Sequence, residues 1–368
     1  MRILMLSKAL IHGAYQKKCE ELAALPGMDL TVAAPRSWRE PRVGVARLER
    51  RFVQGYRLVA LPIAFNGRHH LHFYPTLARL VRDTRPDVFH IDEESFNLAT
   101  FLAMRVGVRY GARCCFYNYA NIERAYPPPF NLFERYAFRH AAHAFACSDE
   151  AAAIIRRHGY TGALTILPQF GVDPELYAPS TVAQETNHPI TIGYIGRLVP
   201  EKGVLDLVDA LLRLPASVRL RLVGDGVLRS TIQARVTAMG LGERVELLPA
   251  VPSTHVPDEL RRLDVLVLPS HTTPTWKEQF GRILVEAMSC AVPVVGSSSA
   301  AIPGVIGDAG LIYPEGDVAA LARVLQRLAR DAELRAELGR RGRVRVLAQF
   351  TQAALARRYH DVYFSLLK

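Results

Sequence analysis

Residues 265–296 read VLVLPSHTTPTWKEQFGRILVEAMSCAVPVVG, and this stretch decides the fold. Two short apolar runs, 265–268 and 292–295, have the length and the β-branched content of buried strands. The segment between them begins as a polar loop and continues as a pattern typical of a helix over about residues 281–290. The stretch is therefore predicted to be a strand–helix–strand unit of an α/β protein.

Two carboxylates mark the helix: Glu278 lies in the loop before it and Glu286 lies within it. At the helix start, Gly281 lets the backbone approach a ligand closely, where free N–H groups and the helix dipole favour an anion such as a phosphate. Glu278 and Glu286, about two turns apart, could then accept hydrogen bonds from hydroxyl groups on either side of that phosphate. Two polyol groups that flank a phosphate describe a nucleotide sugar. A surface helix whose acids are solvated charges gives the same pattern, and spacing alone does not decide between them.

The segment EQFGRILVE, residues 278–286, resembles the E-x7-E motif of the retaining GT-B glycosyltransferases of family 4. The residues that follow, AMSCAVPVVGSSSAAIPGVIGDAGLIYPEGD through Asp317, resemble that family's continuation. The resemblance implies an α/β fold of the GT-B type, in which two Rossmann-like domains face each other across a cleft. In such a protein Glu278 would orient the donor sugar and Glu286 would hold the ribose. The other donor-binding residues that the resemblance implies are Gln279, Phe280, Gly281, Arg282 and, in the loop LLPAVPS, Val251.

A second group of residues is expected to bind the diphosphate of the donor. In GYIGRLVPEKG, residues 193–203, a strand runs into Gly196 and Arg197, and Lys202 precedes a helix. Two cations around such a turn can neutralise a diphosphate, although Arg and Lys at these positions are also ordinary surface charges. Beside EQFG they resemble the family's phosphate-binding pair. No D-x-D triplet is present to hold a metal ion, so we expect metal-independent transfer and no cofactor other than the donor substrate.

The N-terminal half resembles the acceptor-side domain of the family more weakly. Its start, RILML, is predicted to be a strand, and the loop after it, with Gly13, would lie near the donor phosphates and the acceptor. The alternative is an ordinary turn glycine, since the family commonly has a pair of glycines here. The strand DVFHI, with His90 near its end, resembles the family's strand that delivers a histidine to the crevice. A partly buried structural histidine is the alternative for His90.

Three further residues are candidates for the acceptor side. Glu94 belongs to the acidic run that follows His90, and one member of that run could act on the acceptor hydroxyl. After the strand CCFYNY the family commonly places a histidine against the donor sugar, whereas this chain offers Asn118 and Asn121. The donor hydroxyl that the family contacts there would therefore be contacted differently in this protein.

The length of 368 residues accommodates two domains of about 180 residues, each able to bury its own core. We expect an N-terminal domain over residues 1–173, a polar linker over 174–189 and a C-terminal, nucleotide-sugar-binding domain over 190–349. The final helix, 350–368, is expected by resemblance to cross back to the N-terminal domain; the alternative is that it stays on its own domain. Five cysteines without a C-x-x-C pair indicate reduced thiols and no zinc site.

The excess of basic charge lies mostly in the N-terminal half. Residues 1–172 carry 23 Lys and Arg against 14 Asp and Glu, whereas the rest of the chain carries 23 against 21. An anionic partner is therefore expected on that side, such as a phosphorylated acceptor or an anionic membrane surface. Arginines concentrate in residues 36–57, where a merely solvated face is the alternative. We expect no nucleic-acid partner, because no aromatic–basic recognition motif or metal-knuckle spacing is present.

These observations predict a retaining, metal-independent glycosyltransferase that moves a hexose-type residue from a nucleoside-diphosphate sugar to an acceptor hydroxyl. By analogy with the family, the acceptor would be a glycan or lipid-linked glycan in surface-polysaccharide or glycoconjugate synthesis. A sugar-nucleotide epimerase or a glycosyl phosphorylase of the same fold stays open. The N-terminus is not a convincing signal peptide, and no segment reaches about eighteen uninterrupted apolar residues. We therefore expect a cytoplasmic protein, at most peripheral at the inner face of the membrane.

Overall fold

The chain builds two parallel β-sheets, each with helices between its strands. The computed structural model describes residues 1–40, 44–180 and 189–368. Contacts divide the chain into unit 1, which consists of Met1–Gly171 and Gln352–Lys368, and unit 2, which consists of Val172–Thr351. Each unit buries its own apolar core. The α/β class predicted from the sequence is confirmed.

Unit 1 is built on a seven-stranded sheet and a small hairpin. Its strands are β1 (Arg2–Ser7), β2 (Asp29–Pro35), β3 (Ser37–Glu40), β4 (Gly44–Arg47), β5 (Arg57–Leu61), β6 (Val88–Asp92), β7 (Arg113–Asn118), β8 (His143–Ala146) and β9 (Leu164–Ile166). Its first helices are α1 (Lys17–Ala23), α2 (Leu77–Thr84), α3 (Leu98–Arg109), α4 (Phe130–His140) and α5 (Asp149–Arg157). The sheet has the order β5-β2-β1-β6-β7-β8-β9 and is parallel throughout, whereas β3 and β4 pair antiparallel. Central strands such as β1 are almost continuously apolar because helices cover both faces of such a sheet.

Unit 2 is built on a six-stranded parallel sheet with the order β12-β11-β10-β13-β14-β15. These strands are β10 (Thr191–Ile195), β11 (Arg219–Val223), β12 (Val245–Leu248), β13 (Val265–Leu268), β14 (Val294–Ser297) and β15 (Gly310–Tyr313). The helices are α6 (Val204–Leu211), α7 (Arg229–Ala238), α8 (Val256–Arg261), α9 (Arg282–Ser289), α10 (Ile302–Ile306), α11 (Val318–Arg330) and α12 (Ala332–Gln349). Within the described residues, no helix combines the length and the apolar character that crossing a membrane requires.

Each sheet has one point at which the strand order reverses. β1 pairs with β2 on one side and with β6 on the other, and β10 likewise lies between β11 and β13. In an open α/β sheet the crossover connections diverge at this point and leave a crevice beyond the carboxyl ends of the two strands, where ligands bind. In unit 2 those strands end at Ile195 and Leu268. The residues directly after them are therefore the first candidates for a ligand site.

The last helix, α13 (Gln352–Ser365), belongs to unit 1 although it follows unit 2 in the chain. Gln352 fixes its start, because its amide Nε2 donates to the Gly171 carbonyl at 2.8 Å and its Oε1 accepts the Gly171 N–H at 3.2 Å. Further along the helix, Tyr359 and Tyr363 are fully buried in the core of unit 1. The helix is thus an integral part of the unit 1 core.

The segment expected to be a linker, 174–189, is only partly described. Residues 181–188 lie outside the described residues. The part before them packs on unit 2, where Tyr177 is buried in the core. Unit 2 accordingly begins at Val172, before the predicted linker starts.

Candidate active site

The carboxyl end of β10 leads into a turn that carries both predicted phosphate-binding cations. Gly196 follows the strand, and Arg197 extends into solvent with 65% of its side chain exposed. Its Nη2 lies 3.8 Å from Glu201 Oε1, which is too long for a hydrogen bond. The guanidinium therefore has donors to offer to an anion.

Lys202 ends a single 3-10 turn that is pressed against the end of β13. Gly203, directly after it, has a left-handed backbone with φ of 64°, and a Cβ built there would lie 1.9 Å from the carbonyl oxygen of Pro269. Only glycine fits such a close approach in this conformation. The turn thereby brings Lys202 next to the loop that follows β13.

Lys202 and Glu278 form an ion pair in that loop. Lys202 Nζ lies 2.5 Å from Glu278 Oε2, and Ser270 Oγ donates to the same oxygen at 3.2 Å. Only 16% of the Lys202 side chain and 10% of the Glu278 side chain are exposed. The ammonium also lies over the ring of Trp276, 4.8 Å from its centroid. Two motifs that are 76 residues apart in sequence thus meet beyond the carboxyl ends of β10 and β13.

The start of α9 has the geometry of an anion-binding helix end. Gly281 caps the helix in a left-handed conformation, with φ of 73° and ψ of 54°. The N–H of Leu284 donates to the Gly281 carbonyl at 2.9 Å, and the dipole of a helix favours an anion at this end. Glu286, on the second turn, is buried, and its Oε1 lies 2.7 Å from Arg282 Nε. Burial raises the pKa of Glu286, and Arg282 and a hydrogen bond from Tyr177 oppose that shift. Glu286 is therefore a shielded carboxylate whose partners come from unit 2 itself.

The remaining predicted donor residues lie on neighbouring loops of unit 2. Gln279 is exposed in the loop before α9, and Phe280 is half-buried against the core. Val251 is half-buried after β12, and the N–H of Ala250 before it donates to Asp225 Oδ2 at 2.9 Å. Because that N–H is already bonded, a backbone contact to a base would fall to Val251.

Sequence reasoning missed His271, which follows Ser270 at the end of β13. Its Nε2 lies 2.6 Å from Asp206 Oδ2, and this hydrogen bond raises the pKa of His271. The backbone N–H of His271 donates to the Glu201 carbonyl at 2.9 Å and ties the two loops of the site together. A position directly after a strand at the point of reversed order is the signal that could have identified it.

Gly13 is held by contacts within unit 1. It begins the 3-10 turn Gly13–Tyr15, and its N–H donates to Glu49 Oε2 at 2.7 Å. A Cβ built on Gly13 would lie 2.7 Å from Arg51 Cβ. This close approach explains the glycine without a ligand, and its role at the donor stays a prediction.

His90 is a buried structural residue, and the prediction that it lines a crevice is wrong. Strand β6 continues to Asp92, so His90 lies in the middle of the strand, and it is fully buried. Its Nδ1 lies 2.5 Å from the Tyr363 hydroxyl on α13, and its ring stacks on Phe145 with centroids 5.0 Å apart. Burial lowers the pKa of His90 well below its usual range, so the ring is neutral.

Glu94, an acceptor-side candidate, is a half-buried carboxyl group just beyond β6. Its Oε1 accepts the N–H of Tyr119 at 3.0 Å, whereas its Oε2 has no hydrogen-bond partner among the described residues. Burial raises the pKa of Glu94 to about 8. Such a group can exchange a proton near neutral pH. Its contact with an acceptor stays a prediction.

Glu93, one residue earlier, is buried beside Lys8 and His72. Its carboxylate oxygens lie 3.5 Å from Lys8 Nζ and 3.5 Å from His72 Nε2. Burial alone would raise the pKa of Glu93, but Lys8 and His72 outweigh burial and lower it to about 2. Glu93 is therefore ionised and serves the internal structure of unit 1.

Asn118 and Asn121, the other acceptor-side candidates, are both buried. The side-chain amide of Asn118 bonds to the carbonyls of Ala120 at 3.3 Å and Ala151 at 3.4 Å. Asn118 is thus engaged in holding the backbone of unit 1, contrary to the prediction that it faces an acceptor. The role of Asn121 stays a prediction.

Two family models match the chain. The one described as Glycosyltransferase Family 4 matches residues 18–176, and the one described as Glycosyl transferases group 1 matches residues 181–345. The chain belongs to the GT-B glycosyltransferases of the family 4 type. The second match contains the whole site described in unit 2, from Arg197 to Glu286.

Curated relatives of this GT-B family member include named glycosyltransferases. The chain is 34% identical to N-acetyl-alpha-D-glucosaminyl L-malate synthase of Bacillus anthracis over 171 residues. This match covers 45% of this chain and 43% of that protein. It is 29% identical over 284 residues to 2-deoxystreptamine N-acetyl-D-glucosaminyltransferase of Streptomyces fradiae, which is 70% of this chain and 66% of that protein. The matches thus span between 43% and 66% of the length of these two relatives.

Solved structures share the fold over the whole chain. Sucrose-phosphate synthase from Thermosynechococcus elongatus superposes with a TM-score of 0.72 at 20% identity, covering 100% of this chain and 99% of that one. HepE of Anabaena, in complex with UDP, superposes with a TM-score of 0.73 at 18% identity, covering 99% and 100%. At these identities the likeness concerns the fold, and the GT-B architecture predicted from the sequence is confirmed.

Proposed function

We propose that this GT-B family member transfers a sugar from a nucleoside-diphosphate sugar to an acceptor hydroxyl, with retention of anomeric configuration and without a metal ion. The observation that carries the proposal is the pair formed by Lys202 and Glu278 at the point where the sheet of unit 2 reverses its order. A cation and a carboxylate at this point fit a phosphate and the sugar attached to it. The HepE structure that shares the fold holds UDP.

Arg197 and Lys202 would stabilise the leaving diphosphate. Transfer breaks the bond between the anomeric carbon and the diphosphate oxygen, and the diphosphate keeps the electron pair. Fixed cations aimed at this developing charge lower the barrier, typically by about 3 kcal/mol for one lost donor. The N–H groups at the start of α9, after Gly281, would add to the same field.

Glu278 and Glu286 would hold the two hydroxyl-bearing parts of the donor. An incoming diphosphate would draw Lys202 towards the phosphate, and the Glu278 carboxylate could then accept hydrogen bonds from the sugar hydroxyls. Glu286 would accept from the ribose, with Gln279, Phe280, Arg282 and Val251 along the donor. Retention requires that the acceptor oxygen reach the anomeric carbon from the face that the diphosphate leaves. The acceptor's proton can pass to the departing diphosphate, which balances the exchange.

The acceptor that we propose is a glycan or a lipid-linked glycan. Among the relatives are the capsular polysaccharide biosynthesis glycosyltransferase CapM of Staphylococcus aureus and the lipopolysaccharide core biosynthesis glycosyltransferase LpsE of Rhizobium meliloti. Their names support a role in surface-polysaccharide or glycoconjugate synthesis for this chain as well. We propose a cytoplasmic location at the inner face of the membrane, where such acceptors are assembled.

A thermal-shift panel of UDP, GDP, ADP and TDP, with and without magnesium, tests the donor site. We expect one diphosphate to stabilise the protein equally with and without magnesium, by about 2.7 kcal/mol at a hundred times its dissociation constant. Arg197→Ala should reduce that stabilisation and the turnover of the matching nucleotide sugar by about a hundredfold. If no diphosphate stabilises the protein, the proposal is wrong. Conversion of the donor sugar without an acceptor would favour an epimerase. Activity that depends on inorganic phosphate would favour a phosphorylase.

A further inference from the structure

One face of the β3–β4 hairpin in unit 1 points away from the core. Arg39 stands opposite Val45 in the register of the hairpin, so both side chains leave the same face. Trp38, the neighbour of Arg39, points to the other face and is buried, with Lys8 Nζ 4.7 Å from its ring centroid. Arg47 lies two residues from Val45 and shares its outer face.

The loop 65–72 is fastened beside this outer face. The two residues that flank the loop, Ala64 and Phe73, exchange two backbone hydrogen bonds of 2.9 and 3.4 Å. Asn66 holds the loop to β3, because its Oδ1 accepts the N–H of Arg39 at 2.7 Å and its Nδ2 donates to the Ser37 carbonyl at 3.3 Å. The hairpin and the loop therefore form one continuous surface.

This surface exposes large apolar side chains. Phe65 is 60% exposed and Val45 is 58% exposed, which makes them the two most exposed large apolar residues that the structure describes in unit 1. Leu71, on the same loop, is also exposed. Exposed apolar groups that lie close together on a protein surface commonly mark a contact with another body.

The same surface is basic, and among its described residues no acid compensates the charge. Residues 36–71 contain eight arginines and two glutamates. Both glutamates bond to the loop after β1, since Glu40 Oε1 lies 3.2 Å from His12 Nε2 and Glu49 accepts the N–H of Gly13. The exposed arginines of the surface form no ion pair with any carboxylate in residues 1–40, 44–180 or 189–368; they are Arg39, Arg47 and Arg68.

We propose that this face, formed by Arg39, Val45, Arg47, Phe65, Arg68 and Leu71, docks on an anionic lipid bilayer. Guanidinium groups bind lipid phosphates in a bidentate manner, and apolar side chains between them enter the boundary of the acyl chains. A soluble anionic polymer would use the arginines but would leave the apolar side chains in water. The face thus identifies the surface behind the proposed peripheral location. The residues that are substituted to test this proposal all lie in unit 1. Loss of vesicle binding and loss of diphosphate binding in unit 2 can therefore be observed independently of each other.

Vesicle flotation of the full chain tests the proposal. The probes are vesicles of phosphatidylcholine alone and of phosphatidylcholine mixed with phosphatidylglycerol. We expect binding to the mixed vesicles only, and weak binding in about 1 M salt, where the Debye length is about 3 Å. Arg39→Gln combined with Arg47→Gln should lower the partition coefficient about twenty-five-fold, at about fivefold for each arginine near the surface. Phe65→Ser should lower it about tenfold without a change of charge.

The matched control is Arg113→Gln combined with Arg139→Gln. These arginines are exposed and change the net charge equally, but they lie where β7 begins and where α4 ends before β8, at the opposite end of the strands. The control should retain most of the wild-type binding. Absence of wild-type binding to the mixed vesicles, or an equal loss in both arginine pairs, would overturn the proposal. An unchanged Phe65→Ser partition with full competition by dextran sulfate would assign the surface to a soluble anionic polymer instead.

Discussion

Removing either partner of the pair between Lys202 and Glu278 should have opposite effects on diphosphate binding. Lys202→Met takes away the cation that the phosphate needs. Glu278→Gln keeps the shape of the side chain but removes the carboxylate that neutralises Lys202 in the unliganded protein. The first variant should therefore bind a nucleoside diphosphate more weakly than the wild type, and the second more tightly.

The structure sets the size of both effects. A hydrogen bond to a charged group is worth about 1.5–3 kcal/mol net, and a nucleoside diphosphate must break this one before it recruits Lys202. At about 1.4 kcal/mol for each factor of ten, Glu278→Gln should tighten diphosphate binding about tenfold and Lys202→Met should weaken it at least as much. Turnover of the complete nucleotide sugar should fall in both variants. In Glu278→Gln the sugar loses its contact with the carboxylate, and in Lys202→Met the phosphate loses its contact with the ammonium.

The pair between Lys202 and Glu278 should also contribute measurably to the free energy of unfolding of unit 2. Exposed ion pairs couple by about 0.2–1 kcal/mol, whereas removing one partner of a fully buried pair costs about 3–5 kcal/mol. With 16% and 10% of the two side chains exposed, the pair lies between these cases. We expect a coupling of about 2 kcal/mol in a double-mutant cycle, or about 4–8 °C in melting temperature for a unit of this size.

Titration calorimetry with the diphosphate found in the thermal-shift panel measures the binding, and urea unfolding of the four cycle members measures the coupling. Asp209→Asn is the control, since it breaks a more exposed pair with Arg235, of 2.7 Å, elsewhere in unit 2. It should leave diphosphate affinity unchanged. Weaker diphosphate binding by Glu278→Gln, or additivity of the two substitutions within about 0.5 kcal/mol, would show that Lys202 and Glu278 are not coupled in this way.

Three further predictions follow from the glycine turn, the buried acid and the buried histidine. Gly203→Ala should destabilise unit 2 by more than the roughly 1–2 kcal/mol that a left-handed alanine costs, because its Cβ would clash with the Pro269 carbonyl. The control is Gly240→Ala, which has φ of 65° and open space around it and should cost only that amount. Thermal melts of the two variants measure the difference. The pKa of Glu93 is lowered to about 2, so its carboxylate contributes about 3 kcal/mol to the stability of the folded protein above pH 4.5. This contribution is lost as the pH falls towards 2. The unfolding free energies of wild type and Glu93→Gln should therefore converge by that amount over this pH range. Tyr363→Phe leaves a buried ring nitrogen of His90 without its partner and should cost about 1–3 kcal/mol in urea unfolding, with no change in diphosphate affinity.

The residues of the candidate donor site could be singled out from the sequence, but the contact between Lys202 and Glu278 could not. The E-x7-E motif and the GR and EKG segments each carry a local signal, namely a glycine at a turn beside a charge. The contact between Lys202 and Glu278 depends on β10 and β13 lying side by side, and the order of strands in a sheet is a long-range property. His271 was missed for the same reason, since its partner Asp206 belongs to the helix after the other strand.

In unit 1 the errors came from buried polar residues that look like surface residues. Asp92 directly follows DVFHI and looks like a loop residue, which would place His90 near the end of the strand. It is in fact inside β6, because Ser7 Oγ at 2.6 Å and Gln169 Nε2 at 2.8 Å bond to its carboxylate. Asn118 is satisfied in the same way by two backbone carbonyls. A single sequence does not reveal such partners, because they are supplied by segments far along the chain.

The position of α13 has a consequence for synthesis on the ribosome. Unit 2 is one continuous segment, so all of its strands and helices are available as soon as Thr351 has emerged. Unit 1 lacks α13 until then, and the site that receives Tyr359 and Tyr363 stays open around Phe145 and His90. The half of the protein that is made first is therefore completed last. A nascent chain that stalls before Gln352 presents an uncovered apolar surface, which is the kind of species that chaperones bind and that otherwise aggregates.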